Sequence, residues 1–301
     1  YKYNERKSMD RVEYKARAKV NLGLDVCGRM PNGYHEVKMI MQTIDLYDEL
    51  EFVKRKDPDI ILSVDSKDPL GDIGNNLIFR AAKMMREYFH IKEGVEIHLK
   101  KHIPVAAGMA GGSTDAAVTM LAMNELYDLE QTREQLMNLV IKLGADIPFC
   151  IMGGTALAEG IGEKLTPLPA PPRASVLIAK PPIMVSTKDV YQGLKIDELT
   201  SHPDIDGMIE ALKQGNLQGI TDRMENVLET VTVKQFPVIA QIKDFMKEHG
   251  AVNALMSGSG PTVFGIYKEE KAAKEAAEAL RETGFARQIH VTEFYNGERQ
   301  E

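Results

Sequence analysis

The stretch Pro104-Val-Ala-Ala-Gly-Met-Ala-Gly-Gly-Ser-Thr-Asp-Ala-Ala117 sets Gly108, Gly111 and Gly112 between a segment of strand periodicity and one of helix periodicity. Glycine turns the backbone tightly and lets amide groups approach a ligand with no Cβ in the way. The helix opening at Ser113 or Thr114 presents unpaired N–H donors and the positive end of its macrodipole. Such a loop suits a phosphate tail, and Ala116 and Ala117 let the helix lie close to a sheet. No GxxxxGK[ST] or GxGxxG occurs in the chain, which disfavours a Walker A loop and a dinucleotide site. A strand–helix turn that binds nothing would also use glycine and a Ser/Thr cap.

Moving outward, Val95, Ile97 and Leu99 alternate with polar residues and predict a half-buried strand. Asn76–Phe89 predicts a helix, as does Ser113–Leu126. Thr132 with Gln135 forms a capping box opening a helix that ends near Gly144. Arg17–Val26 and Glu49–Val53 read as strands. The run from Leu165 to Pro182 holds six prolines around the short apolar strand Ala174–Ala179. Proline fixes φ and removes a donor, so a stiff crossover is expected here, dividing a domain at 9–166 from one at 173–298. Beyond it come strands near Val176–Ala179, Val252–Met256, Thr262–Tyr267 and Gln288–Glu293. Helices are expected near Asp206–Gln214, Gly219–Leu228, Pro237–Glu248 and Glu270–Thr283, with Gly250 and Gly284 just past two helix ends. That order predicts an α+β sandwich, with helices on one face of an antiparallel sheet.

Composition bounds the function. With 301 residues, 44% hydrophobic and 27% charged, the chain can bury a large core. A net charge of −7 argues against broad nucleic-acid binding, which needs a dense cationic surface. Cys27 and Cys150 fit no metal-ligand spacing and read as reduced thiols of a cytoplasmic protein. No apolar run is long enough for a membrane helix. Met9 could be the natural start, which would leave residues 1–8 as an extension; whether they are native is not readable from the sequence.

Four further places carry chemistry. Lys19 and Asn21 point to the same face of the first strand, and a lysine on a buried face calls for an anion. On an edge strand it would simply be solvated. Pro31-Asn-Gly-Tyr-His-Glu36 follows a turn with an aromatic and an imidazole, Tyr34 and His35, which together could seat a nucleobase. Asp146, in Leu143-Gly-Ala-Asp-Ile-Pro-Phe149, is read just past a helix end, with Pro148 halting regular structure. Beside a lysine it could accept or orient a proton, or it could be a turn residue only. A second glycine-rich turn, Met256-Ser-Gly-Ser-Gly-Pro-Thr262, could wrap a phosphate or brace the first loop.

Taken in order, AKVNLGLDVCGRMPNGYHEV at 18–37, IPVAAGMAGGSTDAA at 103–117, LGADIPFC at 143–150, GGTALAEGIGE at 153–163 and SGSGPTVFG at 257–265 resemble the GHMP kinase superfamily. The likeness runs from about Val12 to Phe294. Arg17 stands where proline is frequent, Met109 where leucine is usual, and Thr114 where a smaller residue is common; of these, Arg17 could alter how the first strand enters the site. The resemblance implies an α+β, two-domain GHMP kinase fold. Its N-terminal domain would be like the second domain of ribosomal protein S5, and its C-terminal domain a ferredoxin-like α/β-sandwich. It implies ATP with magnesium as phosphoryl donor, held by Pro104, Val105, Ala106, Ala107, Gly108, Met109, Ala110, Gly111, Gly112, Ser113 and Thr114, with Asn76 and Lys101 near the adenosine. Lys19 and Asp146 would be catalytic. The GYHE stretch points to the branch whose acceptor is a cytidine diphosphate-linked polyol of non-mevalonate isoprenoid synthesis. Asn21, Tyr34, His35 and Tyr191 would meet that acceptor. No acidic cluster identifies metal ligands, and oligomeric state is not readable. A mevalonate- or homoserine-type kinase, or a catalytically silent nucleotide binder on the same fold, remain the alternatives.

Overall fold

The structure is a computed structural model and describes residues 9–297. The expected extension at 1–8 and the domain limit at residue 298 lie outside the described residues. In chain order the first elements are β1 (Arg11–Arg29), β2 (His35–Arg55), β3 (Ile60–Asp65), α1 (Leu77–Tyr88), β4 (Gly94–Lys100), α2 (Gly111–Leu126), α3 (Arg133–Val140), α4 (Ile147–Met152), β5 (Thr155–Gly160) and β6 (Lys164–Pro167). There follow β7 (Ser175–Lys180), α5 (Thr187–Gly193), α6 (Ile205–Lys213), α7 (Leu217–Thr221), α8 (Glu229–Gln235), α9 (Val238–Glu248), β8 (Asn253–Met256), β9 (Val263–Tyr267), α10 (Glu270–Thr283) and β10 (Gln288–Glu293).

The chain packs as two compact units, and neither is contiguous. Among the described residues one holds 9–16, Tyr47–His102 and Gly112–Ile151; the other holds Arg17–Leu46, Ile103–Gly111 and 152–297. These packing units cut across the stretches 9–166 and 173–298 instead of following them. Within Thr155–Pro167, placed before the proline crossover, β5 pairs with the first half of β2 and β6 with β5, and both pack in the same unit as β7–β10.

In the first unit β4 pairs antiparallel with Glu49–Arg55 of β2 and parallel with β3. Asn76 caps α1 by accepting from the Ile78 N–H at 2.9 Å, which explains why the helix starts where its apolar spacing does. Helix α2 has little amphipathicity because it is buried nearly all round, from Thr114 to Met120 without a break. Ala116 and Ala117 are fully buried there and pack in one core with Phe52, Ile78 and Ile97. The Thr132–Gln135 capping box forms in both directions, but α3 stops at Val140, four residues short of the expected end.

In the second unit β7, β9 and β8 pair antiparallel, with β10 on the other side of β7, giving the order β10-β7-β9-β8. Numbered within this sheet, that is 4-1-3-2 in a βαββαβ chain, the ferredoxin-like sandwich. Helix α9 lies against β8 and β9, and α10 against β7, β9 and β10. Gly250 and Gly284 take positive φ at their helix ends. The helix expected over Gly219–Leu228 is only α7, which stops at Thr221. The cause is Asn226: its amide donates to the Met256 and Gly258 carbonyls at 2.9 and 2.8 Å and its oxygen accepts from the Leu228 N–H. A side chain that bonds backbone in this way competes with the helix ladder.

Strands β1 and β2 are longer than their sequence patterns suggest. Ala18–Leu24 and Met39–Ile44 are buried at every position, so the period-two signal vanishes there. Arg17 does not disturb β1. It pairs with Asp45 at 2.8 Å and its guanidinium lies 3.6 Å over the Tyr295 ring. Among the described residues no helix is long and apolar enough to cross a membrane.

Candidate active site

The 103–111 loop is fixed by its carbonyls. Ala107 O accepts from the Thr262 N–H at 3.4 Å and Met109 O from the Lys19 N–H at 3.1 Å. Gly108 O accepts from the Ser257 hydroxyl at 2.9 Å and from Lys19 Nζ at 3.3 Å. A trans peptide points its N–H opposite its C=O. Three carbonyls turned into the unit therefore turn the N–H groups of Gly108, Met109 and Ala110 the other way. Ala106, Gly108 and Ala110 have φ of +50°, +79° and +57°, alternating with ordinary residues. Backbone of alternating hand gathers successive N–H groups into a nest, a concavity that takes anions. The loop continues into α2, whose first N–H groups have no intrahelical acceptor.

The second glycine turn is the brace. A Cβ on Gly108 would lie 2.3 Å from the Ser257 carbonyl oxygen. Asn226 holds that turn from behind, and Thr232 donates to Ser259 O at 3.1 Å. Ser257 and Asn226 were not expected as site residues. Only the glycine spacing of 257–261 signalled the first, and nothing local signalled the second.

Lys19 is 5% exposed and Asn21 1% exposed, adjacent on the inner face of β1 as their alternation required. Lys19 Nζ donates to Asn21 Oδ1 at 2.8 Å, and Asn21 Nδ2 lies 3.3 Å from Met39 Sδ. The immediate task of Asn21 is thus to hold the ammonium. Asp146 immediately precedes α4, its carbonyl accepting from Cys150 N–H. Pro148 does not halt structure as expected. It is the second residue of α4, where a missing N–H costs nothing.

His35 opens β2 and Tyr191 lies on α5; their ring centroids are 5.2 Å apart at 51°. Burial, then the positive charge of Arg29, hold the His35 imidazole below its ordinary 6.5. Its Nε2 is buried with no hydrogen-bond partner, a group that calls for a ligand. Tyr34, the neighbouring aromatic, is 60% exposed on the turn. A cleft of about 630 Å³ is lined by Cys27, Gly28, Arg29, Gln192 and Lys195, among others.

The ATP-side candidates outside the loop are otherwise employed. Asn76 caps α1. Lys101 is not a surface cation awaiting an adenosine: its side chain is 6% exposed and donates to Asp48 Oδ2 at 2.6 Å and Asp115 Oδ2 at 2.7 Å. Sequence reading missed both carboxylates, because partners 53 and 14 residues away leave no local trace. Among the described residues no group of three or more His, Cys, Asp or Glu could hold a metal ion.

The profile of the GHMP kinases N terminal domain matches residues 76–154, and that of the GHMP kinases C terminal domain matches 208–286. The chain belongs to the GHMP kinases. Among its relatives is a 4-diphosphocytidyl-2-C-methyl-D-erythritol kinase of Lachnoclostridium phytofermentans, 50% identical over 287 residues, 95% of this chain and 98% of that one. A crystal structure of 4-(cytidine 5'-diphospho)-2C-methyl-D-erythritol kinase superposes with a TM-score of 0.80 at 34% identity, over 95% of this chain and all of that one. A homoserine kinase from Cytophaga hutchinsonii, at 20% identity, TM-score 0.76 and 97% coverage of each chain, shares the fold.

Proposed function

We propose that this kinase transfers the γ-phosphoryl group of ATP to the 2-hydroxyl of 4-diphosphocytidyl-2-C-methyl-D-erythritol, giving the 2-phosphate and ADP, in non-mevalonate isoprenoid synthesis. The observation that carries the reading is the nest at 106–110, backed by Lys19 and Ser257. The acceptor follows from the relatives, and the orphaned His35 Nε2 beside Tyr191 supports a planar, hydrogen-bonding base.

Phosphoryl transfer is mostly positioning and charge stabilisation. The outward N–H groups of Gly108, Met109 and Ala110 and the start of α2, with Ser113 and Thr114, hold the donor phosphates. Asp146 takes or orients the acceptor's hydroxyl proton as the oxygen bonds to the γ-phosphorus and the bond to ADP breaks. Lys19, held by Asn21, stabilises the charge that develops. His35 reads the polar edge of cytosine, with Tyr191 and Tyr34 as stacking faces. A magnesium ion fits as one carried in on ATP, since such an ion needs only one or two carboxylates besides phosphate and water. It would supply charge neutralisation; no residue is assigned to it. The matched segments 76–154 and 208–286 fall within 9–166 and 173–298, and we keep those as the ATP-binding and C-terminal halves. The partners are then two small molecules, met in the cytoplasm, with neither nucleic acid nor membrane involved.

Asp146→Asn tests the reading. ADP release with the cytidine diphosphate-linked acceptor should fall on the order of a hundredfold or more while the thermal unfolding curve is unchanged. Near-native turnover in the folded variant would remove Asp146 from the reaction.

A further inference from the structure

The Asp48–Lys101–Asp115 triad is buried in the first unit, with side-chain exposures of 0%, 6% and 3%. Its members bracket the phosphate loop. Lys101 directly follows the end of β4, two residues before Ile103, and Asp115 sits in the first turns of α2, after Thr114. Asp48, from β2, holds the entry side twice: Oδ2 accepts from Lys101 Nζ, and Oδ1 accepts from the His102 backbone N–H at 2.6 Å. The same Lys101 Nζ reaches the exit side through Asp115 at 2.7 Å. One ammonium thus ties together the two ends of the loop.

Burying charges for stability alone is a poor choice, since a well-packed apolar trio commonly does as well. What an ion-paired trio provides is a defined geometry. We propose that Asp48, Lys101 and Asp115 are positioning residues for ATP: a buried clasp that fixes where the phosphate loop leaves the sheet and where it enters α2. The proposal rests on the phosphate-loop reading above.

The charge balance of the clasp is also informative. Two carboxylates face one ammonium, and Asp115 Oδ1 is buried without a partner. Burial, reinforced by the neighbouring Asp48, pushes the Asp115 carboxyl up against the pull of Lys101. Burial also works against the Lys101 ammonium, but the two carboxylates prevail and hold it above its ordinary value.

The test is steady-state kinetics on the full chain, with ATP and the acceptor varied separately and folding checked by circular dichroism. In Lys101→Met and Asp115→Leu the KM for ATP should rise roughly 10- to 100-fold, as for the loss of one charge-assisted hydrogen bond to a phosphate. Both kcat and the acceptor KM should stay within about threefold. Asp115→Asn should keep the native KM for ATP, because it preserves the shape and the acceptor facing Lys101. The pair Lys101→Met/Asp48→Asn removes one charge of each sign and guards against collapse from an uncompensated carboxylate. Folded variants that lower the melting temperature with ATP KM untouched would overturn the proposal, as would loss of fold in all of them, which would make the triad a folding element. Gly108→Ala separates the two readings. If it raises the ATP KM and the clasp variants do not, only the clasp is wrong. If none of them changes it, the phosphate loop itself is misassigned and the clasp falls with it.

Discussion

Replacing Gly108 by alanine tests the nest at a single atom. Its φ of +79° lies where a side chain costs about 1–2 kcal/mol. The new Cβ would meet the Ser257 carbonyl oxygen at 2.3 Å, a backbone atom with no rotamer to retreat into. Real Cβ contacts stay above 3.0 Å, so loop or turn must give by at least 3.0 − 2.3 = 0.7 Å. That shift strains the two bonds to Gly108 O, worth about 1 kcal/mol for the Ser257 hydroxyl and about 1.5 kcal/mol for the Lys19 ammonium. The total is roughly 4 kcal/mol, most of which the chain avoids by letting the loop relocate. A displaced N–H that loses its bond to a charged phosphate costs about 1.5–3 kcal/mol, on the order of a hundredfold in affinity at the upper end. The expected result is a folded protein whose KM for ATP is raised about that much, read by ADP release, with acceptor KM little changed. Gly215→Ala is the control: φ is +61° and nothing lies within 4 Å of its Cβ, so only the strain of about 1 kcal/mol applies. An unchanged ATP KM in Gly108→Ala, or the same loss in Gly215→Ala, would refute the argument.

Other consequences follow from the acceptor pocket and the C-terminal strap. Tyr191→Ala should raise the acceptor KM while leaving the ATP KM alone; equal effects on both would place Tyr191 elsewhere. Burial and Arg29 depress the His35 pKa from 6.5, so the neutral ring is favoured in the folded state. That preference is present above 6.5 and is lost as pH falls through the lower folded value, so acceptor affinity should weaken below pH 6.5 in the native chain. In His35→Gln the profile should be flat, and a slope persisting there would assign the titration to another group. Arg17 stacks on Tyr295, and Tyr295 N–H donates to Thr43 O at 2.9 Å. Tyr295→Ala should cost about 1–2 kcal/mol of stability in denaturant unfolding, with no change in either KM.

What the sequence made legible was local. The βαββαβ order of the second half, α10 over Glu270–Thr283, β10 over Gln288–Glu293 and the Thr132 capping box could all be read because period, cap and glycine stop agree within a few residues. Lys19 beside Asn21 followed from strand alternation. The misses are long-range. Met39–Ile44 lost its alternation because both faces are covered, and Asn226 ended a helix by bonding carbonyls some 30 residues away. The resemblance set Lys101 near the adenosine with no sign of its carboxylate partners, because these come from β2 and α2. Pairing 103–111 with 257–261 could be suspected from two glycine-rich runs, but which would support the other needed the direction of the Gly108 carbonyl.

The interleaved units have a consequence for synthesis of the chain. The bond from Ser257 to Gly108 spans 149 residues. At about 5–20 residues per second on the ribosome, the phosphate loop exists for roughly 7–30 s before the residue that braces it has been made. The first unit has all its residues once Ile151 has emerged, whereas the second has β1 and the loop in hand long before β8 and β9. During that interval the loop has its bonds from Lys19 but lacks those from Ser257 and Thr262, so Ala106, Gly108 and Ala110 are only partly braced at positive φ and the nest is incomplete. A nascent chain severed at the proline crossover therefore carries every residue of the phosphate motif without the brace that completes it, and full nucleotide binding should switch on only in the last fifth of translation.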